Sequence, residues 1–377
     1  MRLGHTVLGL LATLVLGGCG GADEEAAPKG SGGSGASSSS GGSSAGGGSG
    51  AGATSSGGSG ASTGGSGGAA GAAGSGGAGG SGGAGGSGGA GGGDSIKLIA
   101  IGDTGEGNQA QKDVAQQMAT KCAAVGGCTA VLMLGDNFYD HGVQSTSDAQ
   151  WNTKFESIYD LPNLNSLKFY ATLGNHDYGV TSTGKKEAQI QYTQLPVGTG
   201  PGTRPSDMWM MPDAYYDVKF GDVHVFAIDT QDYSSTQKND MKARVQASSA
   251  TWKIVMGHHP RYTSGNHYWD NALLGAAGMY SLLETIYCGT DLLLTGHDHN
   301  VEFIDKGAHS ACPSTHFAIS GAGAKTRTST GLKHGKQLYY NEKVEALAYL
   351  EFKGKTLLFE FIDKHGTLLW SKTITKP

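Results

Sequence analysis

Five segments of the sequence share one pattern, in which a glycine follows a mostly apolar run and precedes a side chain that can bind a metal ion. These side chains are two carboxylates, one carboxamide and two imidazoles, all of which are metal donors. Glycine permits a tight turn and a close approach of the backbone to whatever the donors hold. One such pair is typical of an ordinary turn, whereas five predict a metal centre that contains Asp103, Asp136, Asn175, His258 and His297.

Each donor stands at the end of a predicted β-strand, and helical patterns separate several of these strands. Short apolar runs are typical of buried strands. The carboxyl ends of strands in an α/β sheet line a crevice that binds ligands, so we expect the five strand ends to converge from one sheet. The predicted strands are Ile96–Ile101, Ala130–Leu134, Lys168–Leu173, Trp252–Met256 and Asp291–Thr295, and the predicted helices are Asn108–Lys121, Asp148–Tyr159 and Asp270–Tyr287.

The rest of the domain is predicted to be mostly β-structure. Residues Tyr215–Phe220 and Val223–Asp229 predict a hairpin, and the glycine- and proline-rich stretch Tyr178–Pro212 is typical of a surface loop. Helices and strands alternate in the first part of the domain, and strands alone follow. This order favours two packed sheets with helices on their outer faces. The late strands are predicted at His316–Ser320, Val344–Phe352, Thr356–Ile362 and Leu368–Thr373.

The N-terminus has the features of a targeting segment. Arg2 precedes the apolar run Val7–Leu16, which has the length of a signal peptide and is short for a membrane span. The run ends in Leu-Gly-Gly-Cys, which resembles a bacterial lipobox, so we expect residues 1–18 to be removed and Cys19 to carry a lipid anchor. An ordinary signal peptide and an uncleaved anchor are the alternatives. The expected location is the cell envelope of a bacterium, in the outer membrane or periplasm.

Composition divides the remaining chain into a tether and one large domain. Residues 30–93 are only Gly, Ser, Ala and Thr, which cannot bury enough apolar surface to order themselves. We therefore predict a disordered tether over residues 19–93 and a single domain over residues 94–377. The net charge of −5 argues against a nucleic-acid partner, and a monomer is expected.

Four cysteines lie in the predicted domain. Export to an oxidising compartment allows two disulfides, and four cysteines permit three pairings. Proximity in the sequence favours Cys122–Cys128 and Cys288–Cys312. Four free buried thiols are the alternative.

The motifs together resemble those of the calcineurin-like metallophosphoesterases. Their residues are similar to those of the purple acid phosphatases, especially the small tartrate-resistant type. A tyrosine three residues after Asp136 carries the second resemblance, with the segments GDNFYDHGV, GHHP and GHDHN. The resemblance covers nearly all of residues 94–377 and implies an α/β fold, a four-layer α/β/β/α sandwich of two mixed sheets. The motifs are Gly102-Asp103, Gly135-Asp136-x-x-Tyr139, Gly174-Asn175-His176-Asp177, Gly257-His258 and Gly296-His297-x-His299.

The resemblance implies two metal ions that share one carboxylate, that of Asp136. Anionic oxygens favour Fe(III) at the first site, with Tyr139 as a phenolate, whereas imidazoles and an amide oxygen suit divalent iron, zinc or manganese at the second. The implied ligands are Asp103, Asp136, Tyr139 and His299 for the first ion, and Asp136, Asn175, His258 and His297 for the second.

By this resemblance the protein is expected to be an acid phosphatase. It would hydrolyse small phosphate monoesters with a metal-bound hydroxide as nucleophile. His176 is the first candidate for the proton donor to the leaving group, and His267 is the second. A phosphodiesterase or nucleotide pyrophosphatase on the same metal frame is an alternative. A surface protein that binds metals without turnover is another.

Five residues near the motifs have other expectations. Asp177 and Asp298 are expected to orient neighbouring groups through hydrogen bonds rather than to bind metal, and Asp229 is expected to form hydrogen bonds within the core. His259 replaces an aromatic residue that is frequent in the family, and its role is open. Tyr178 stands where the animal enzymes often have histidine, which leaves substrate contacts at that position open.

Overall fold

The computed structural model describes residues 95–179, 185–232, 234–268, 279–329 and 335–377, without the side chains of residues 279–282. The predicted signal peptide, the tether with Cys19 and the predicted start of a helix at Asp270 lie outside the described residues. Among the helices in the described ranges, none has the length and apolar character needed to cross a bilayer.

Fourteen strands and five α-helices form the described part of the chain. The strands are β1 (Ile96–Ile101), β2 (Ala130–Met133), β3 (Phe169–Ala171), β4 (Trp209–Met210), β5 (Tyr216–Phe220), β6 (Val223–Ala227), β7 (Trp252–Met256), β8 (Leu292–Thr295), β9 (Val301–Ile304), β10 (His316–Ser320), β11 (Gln337–Asn341), β12 (Ala346–Lys353), β13 (Thr356–Asp363) and β14 (Leu368–Thr375). The helices are α1 (Gln109–Ala124), α2 (Ser157–Tyr159), α3 (Lys186–Gln194), α4 (Ser235–Ala247) and α5 (Met279–Tyr287).

The strands form two mixed sheets of seven strands each, as predicted. The first sheet has the order β14-β13-β12-β1-β2-β3-β4, in which β1 to β4 are parallel and β12 to β14 are antiparallel. The second sheet has the order β11-β9-β10-β8-β7-β6-β5, with a parallel centre and antiparallel edges. Strands β5 and β6 pair as the predicted hairpin.

Alternating side chains on the second sheet face two different layers. On β7, Ile254 and Met256 belong to the large core, which also contains the apolar side chains of the first sheet, whereas Val255 belongs to a smaller cluster with helices α4 and α5. On β8, Leu292 and Leu293 divide between the same two clusters. Because successive strand residues point to opposite faces, each central strand is buried on both sides, which explains its continuous apolar sequence.

Helix α1 covers the first sheet and begins where the sequence predicts. Asn108 is its N-cap, and the side chain accepts a hydrogen bond from the backbone N–H of Gln111 at 2.9 Å, which satisfies a backbone donor of the first turn. Val114 and Met118 of this helix are buried in the large core. With helices on the outer face of both sheets, the four-layer α/β/β/α sandwich is confirmed.

The stretch Tyr178–Pro212 is only partly a loop, so that prediction was wrong in its described portion. Helix α3 lies within it, and β4 adds an edge strand to the first sheet. Tyr192 stacks on Trp151 with ring centroids 3.6 Å apart, and Trp209 contacts the same indole at 5.0 Å. Burial of these rings stabilises the segment. Its many Gly and Pro residues are typical of loops, which is why the sequence did not predict α3 and β4.

Other elements also differ from the predictions. The helix predicted from Asp148 to Tyr159 is present, and the Asp148 side chain accepts from the backbone N–H of Gln150 at 3.0 Å, but the helix is π-helical over Asn152–Glu156 before it ends in α2. Helix α4 and strands β9 and β11 have no counterpart among the predicted elements. Both favoured disulfides, Cys122–Cys128 and Cys288–Cys312, are present.

Candidate metal centre

The five predicted donors lie at strand ends, but the strands belong to two sheets rather than one. Asp103, Asp136 and Asn175 follow β1, β2 and β3 of the first sheet, whereas His258 and His297 follow β7 and β8 of the second. The single-sheet prediction was therefore wrong. The two sheets pack face to face with these strand ends at a common edge, so the donors still meet.

Hydrogen bonds join the two sheets at this edge. The Nδ1 atom of His258 donates to the carbonyl of Leu134, at 2.8 Å, and the backbone N–H of His297 donates to Asp103 Oδ2, also at 2.8 Å. Each bond connects a residue of the second sheet with one that follows a strand of the first. These bonds fix the positions of donors from both sheets relative to each other.

Glycine is required at two of the junctions because donors from other strands pass close to the backbone. A Cβ atom on Gly174 would lie 2.2 Å from Asp136 Oδ1, and one on Gly296 would lie 2.5 Å from Asp103 Oδ2. Neither position tolerates a side chain without displacement of a carboxylate.

Three predicted ligands have a backbone conformation that is rare outside glycine. The φ angles are 58° at Asp103, 51° at Asp136 and 71° at His297. This left-handed region is unfavourable for residues with a Cβ atom and is concentrated at functional sites. Of the four such non-glycine residues in the described chain, three therefore belong to the candidate centre.

The four ligands predicted for the first metal form one cluster. Tyr139 Oη lies 2.8 Å from Asp103 Oδ1, 3.0 Å from Asp136 Oδ2 and 3.1 Å from His299 Nε2. All four side chains are buried. The structure brings together the groups that the sequence predicts for this site.

The four ligands predicted for the second metal also converge. His258 Nε2 lies 3.1 Å from Asn175 Oδ1, 3.2 Å from His297 Nδ1 and 3.3 Å from Asp136 Oδ2. Asp136 Oδ2 is therefore a neighbour of both clusters, which touch through this one oxygen.

The chemistry of both clusters fits cations. A phenol carries one proton, but Tyr139 Oη faces two carboxylate oxygens, which only accept, and the Nε2 atom of His299. At His258, Nδ1 donates to Leu134 O, so the ring can direct only one further proton, on Nε2, toward two acceptors and another imidazole. A positive ion at each cluster satisfies several lone pairs at once, which a proton cannot do.

The electrostatics of the clusters agree with this fit. While only protein groups surround it, burial together with the charges of Asp103 and Asp136 raises the pKa of Tyr139 well above its usual range. Burial alone lowers the pKa of His258, but the charge and hydrogen bond of Asp136, with Asp103, raise it to about 9. The shift at His258 reflects the negative charge of the centre, and the shift at Tyr139 reflects burial first and that charge second. The donor set thus supports a dinuclear metal centre.

Comparison with known proteins identifies the family. The sequence profile described as calcineurin-like phosphoesterase matches residues 96–301. Purple acid phosphatase 7 of Arabidopsis thaliana is 30% identical to this chain over 301 residues, which cover 75% of this chain and 87% of that protein. The chain belongs to the calcineurin-like phosphoesterases, among the purple acid phosphatases.

A further relative agrees with this family, and a solved structure shares the fold. Tartrate-resistant acid phosphatase type 5 of Homo sapiens is 24% identical over 320 residues, which cover 75% of this chain and 91% of that protein. The solved structure of GAP50, the anchor in the inner membrane complex of Plasmodium, has a TM-score of 0.62 at 22% identity and shares the fold over 75% of this chain and 89% of its own. As a purple acid phosphatase, the chain is a phosphoester hydrolase.

The two predicted catalytic histidines contact different parts of this purple acid phosphatase centre. The His176 ring contacts the Tyr139 ring, with centroids 4.4 Å apart, and its Nε2 lies 4.0 Å from Asp136 Oδ2. The His267 ring lies against the His297 ring, with centroids 3.9 Å apart. His176 is thus adjacent to the shared carboxylate, and His267 to the second cluster.

The neighbouring polar residues brace the loops of the centre. Asp177 accepts hydrogen bonds from the backbone N–H groups of Asn137, at 3.0 Å, and Gly174, at 2.8 Å. Asp298 accepts one from the backbone N–H of His267 at 3.0 Å. Both aspartates therefore orient neighbours, as predicted.

Asp229, Tyr178 and His259 are the three other residues with open or structural expectations. Asp229 accepts hydrogen bonds from the hydroxyl of Tyr178 and from a backbone N–H group at 2.9 Å, in agreement with its predicted structural role. His259 forms a 2.7 Å hydrogen bond through Nδ1 with the Thr230 hydroxyl, and its ring lies 4.3 Å from that of His297. Its imidazole is therefore oriented by Thr230 next to a predicted ligand.

Sequence reasoning missed a group of charged residues around Tyr139. The ammonium of Lys325 lies 3.6 Å from the centroid of the Tyr139 ring and 2.6 Å from Glu106 Oε1. Lys154 donates to the Tyr139 carbonyl. Lone lysines without a motif carry no signal of this placement in the sequence.

Proposed function

We propose that this protein is an acid phosphatase that releases phosphate from monoesters at a centre of Fe(III) and a divalent ion. The position of Asp136 supports this proposal most directly. Its Oδ2 atom lies 3.0 Å from Tyr139 Oη and 3.3 Å from His258 Nε2. One carboxylate oxygen within reach of both donor clusters would hold two ions close together, as two-metal hydrolysis needs.

The donor types support different ions at the two sites. The first cluster offers two carboxylates and a phenol with one imidazole, which suits Fe(III), and the second offers two imidazoles and an amide oxygen beside the shared carboxylate, which suits divalent iron, zinc or manganese. When bound, the two ions acidify water and polarise the phosphoryl group of the ester. The proposed ligands are Asp103, Asp136, Tyr139 and His299 for the first ion, and Asp136, Asn175, His258 and His297 for the second.

His176 is proposed to protonate the leaving group. Its Nδ1 donates to the carbonyl of Asp140 at 2.7 Å, so Nε2 is the atom turned toward the centre. The backbone N–H of His176 also donates to Asp136 Oδ1 at 2.9 Å, which orients the shared carboxylate. A proton on Nε2 can therefore pass to an alkoxide that leaves next to Asp136.

His267 is proposed to contact the substrate or to serve as a second acid. Its backbone is held by Asp298 and its ring packs on His297. A group in this position can meet a phosphate ester from the side of the second ion.

The test of monoester preference is a comparison of two substrates under one metal loading. An iron-loaded preparation should hydrolyse an aryl phosphate monoester with a higher kcat/KM than the corresponding bis-ester. A preference for the bis-ester would replace the acid phosphatase with a phosphodiesterase. Absence of turnover with both would favour a binding protein, a role that GAP50, described as an anchor, makes worth testing on this fold.

Export and lipid anchoring are proposed on the sequence of the N-terminus. Arg2, the apolar run Val7–Leu16 and Cys19 support a lipoprotein signal, and residues 30–93 support a flexible tether between membrane and enzyme. Intact mass after expression in a bacterium, with and without an inhibitor of lipoprotein processing, tests this proposal. A mature protein that begins at another residue without lipid would contradict it.

A further inference from the structure

The ring of Tyr139 has a positively charged neighbour that the proposed reaction does not use. The ammonium of Lys325 lies 3.6 Å from the ring centroid, well within the distance at which a cation is attracted to an aromatic face. Lys325 lies beyond β10, far from Tyr139 in the sequence. Its position over this ring therefore results from the tertiary fold.

The lysine is held in this position from several directions. Its ammonium forms an ion pair with Glu106 at 2.6 Å, and both side chains are about three-quarters buried, with exposed fractions of 27% and 25%. The backbone on either side is also fixed, because the Ala324 carbonyl accepts from Asn108 Nδ2 at 2.9 Å and the backbone N–H of Arg327 donates to the His299 carbonyl at 3.2 Å. A side chain fixed in this way keeps its charge near the ring.

A charge in this position acts on the electrons of the ring. A cation stabilises the π electrons of the ring below it. It stabilises electrons on an atom bound to Oη less strongly, because the interaction falls with distance. The result is a phenolate that donates less charge to whatever Oη binds. Glu106 opposes this effect because its negative charge compensates part of the lysine charge.

We propose that the Lys325–Glu106 pair sets the electron-donating strength of Tyr139 toward the first metal site. Lys325 is a positioning residue in this proposal, since it acts through the tyrosine ring and not on the substrate. The inference rests on the proposed function, because it requires that Tyr139 bind Fe(III) as a phenolate.

The wavelength of the tyrosinate-to-Fe(III) absorption band measures this effect. The transition moves an electron from the ring to the metal, away from the ammonium, so the lysine charge raises the transition energy. Lys325→Met removes the charge but retains most of the aliphatic chain, and should shift the band to longer wavelength. Glu106→Gln leaves the lysine charge uncompensated and should shift the band in the opposite direction.

Two variants separate the ring charge from other effects. Lys325→Arg keeps a cation that also stacks on aromatic faces and should leave the band close to its original wavelength. Lys154→Met removes a neighbouring cation that contacts the Tyr139 carbonyl rather than the ring, and should shift the band less than Lys325→Met does.

The outcomes distinguish this inference from the proposed function. An iron-loaded wild-type protein with no charge-transfer band would contradict the Fe(III) centre itself. A wild-type band that keeps its wavelength in Lys325→Met, or that moves in the same direction in Lys325→Met and Glu106→Gln, would overturn the role of the pair. An equal shift in Lys325→Arg and Lys325→Met would overturn it as well, because packing and not charge would then be responsible.

Discussion

The two sheets supply chemically different halves of the candidate centre. All proposed oxygen ligands follow strands of the first sheet, and all proposed nitrogen ligands follow strands of the second. The oxygen ligands are Asp103, Asp136, Tyr139 and Asn175, and the nitrogen ligands are His258, His297 and His299. The face-to-face packing of the sheets therefore combines oxygen and nitrogen donors that neither sheet offers alone.

The partition between two ions follows from how these halves overlap. His299 extends from the second sheet into the first cluster, and its Nε2 lies 3.1 Å from Tyr139 Oη. Asn175 and Asp136 extend from the first sheet toward His258, at 3.1 and 3.3 Å. Each site thus contains ligands from both sheets but in different proportion, which accounts for the different ions proposed.

Loss of the shared carboxylate should have the largest effect, because it removes a ligand from both sites. Loss of a residue that only hydrogen-bonds to a metal ligand costs about 10–100-fold in metal affinity or activity. Loss of a ligand shared by two ions should cost more, so Asp136→Asn should reduce kcat/KM by more than about 100-fold and lower the content of both metals. Metal analysis and kinetics on the same preparation measure this. Loss of one metal only, with a native circular dichroism spectrum, would show that Asp136 is not shared.

Removal of an imidazole from the second sheet should affect one site selectively. His258→Ala should lose the divalent ion while the tyrosinate band persists. Its activity should fall by about 100-fold or somewhat more, because loss of a residue that only hydrogen-bonds to a ligand already costs about 10–100-fold. His365→Ala, a substitution of an exposed histidine, is the control and should change neither property. Loss of the band in His258→Ala would indicate that the two halves are not separable.

His176 should matter according to the leaving group rather than to metal content. General acid catalysis contributes about 10²–10⁴-fold, so His176→Ala should lower kcat by about 100-fold for an alkyl phosphate. An activated aryl phosphate needs little protonation and should lose far less. Equal losses for both esters, at unchanged metal content, would remove the proton-donor role.

The affinity of the second site for its ion should increase with pH. The pKa of His258 is raised to about 9, since the charge of Asp136 outweighs the effect of burial, so at neutral pH the imidazole holds a proton that a metal ion must displace. Competition with one proton gives a gain of about tenfold in apparent affinity per pH unit below that pKa. Titration of the metal-free protein with zinc at several pH values measures the slope, and a flat profile would contradict the displacement of a proton.

Much of the centre was predictable because its signals are local. Each strand and its following glycine and donor are contiguous in the sequence, as at Gly135-Asp136, and the close approach of Asp136 to Gly174 explains why glycine is needed. The distribution of the strands over two sheets was not predictable in this way, because β-pairing between distant segments leaves no local pattern. Lys325 was missed for the same reason, since only the tertiary fold brings it to Tyr139.

The most direct test of the mixed centre is the visible spectrum of the iron-loaded protein beside that of Tyr139→Phe. We expect the wild type to show a broad tyrosinate-to-Fe(III) band and the variant to lose it while keeping its fold. A colourless wild type that contains two zinc or two manganese ions would contradict the Fe(III) site and leave only the wider metallophosphoesterase assignment.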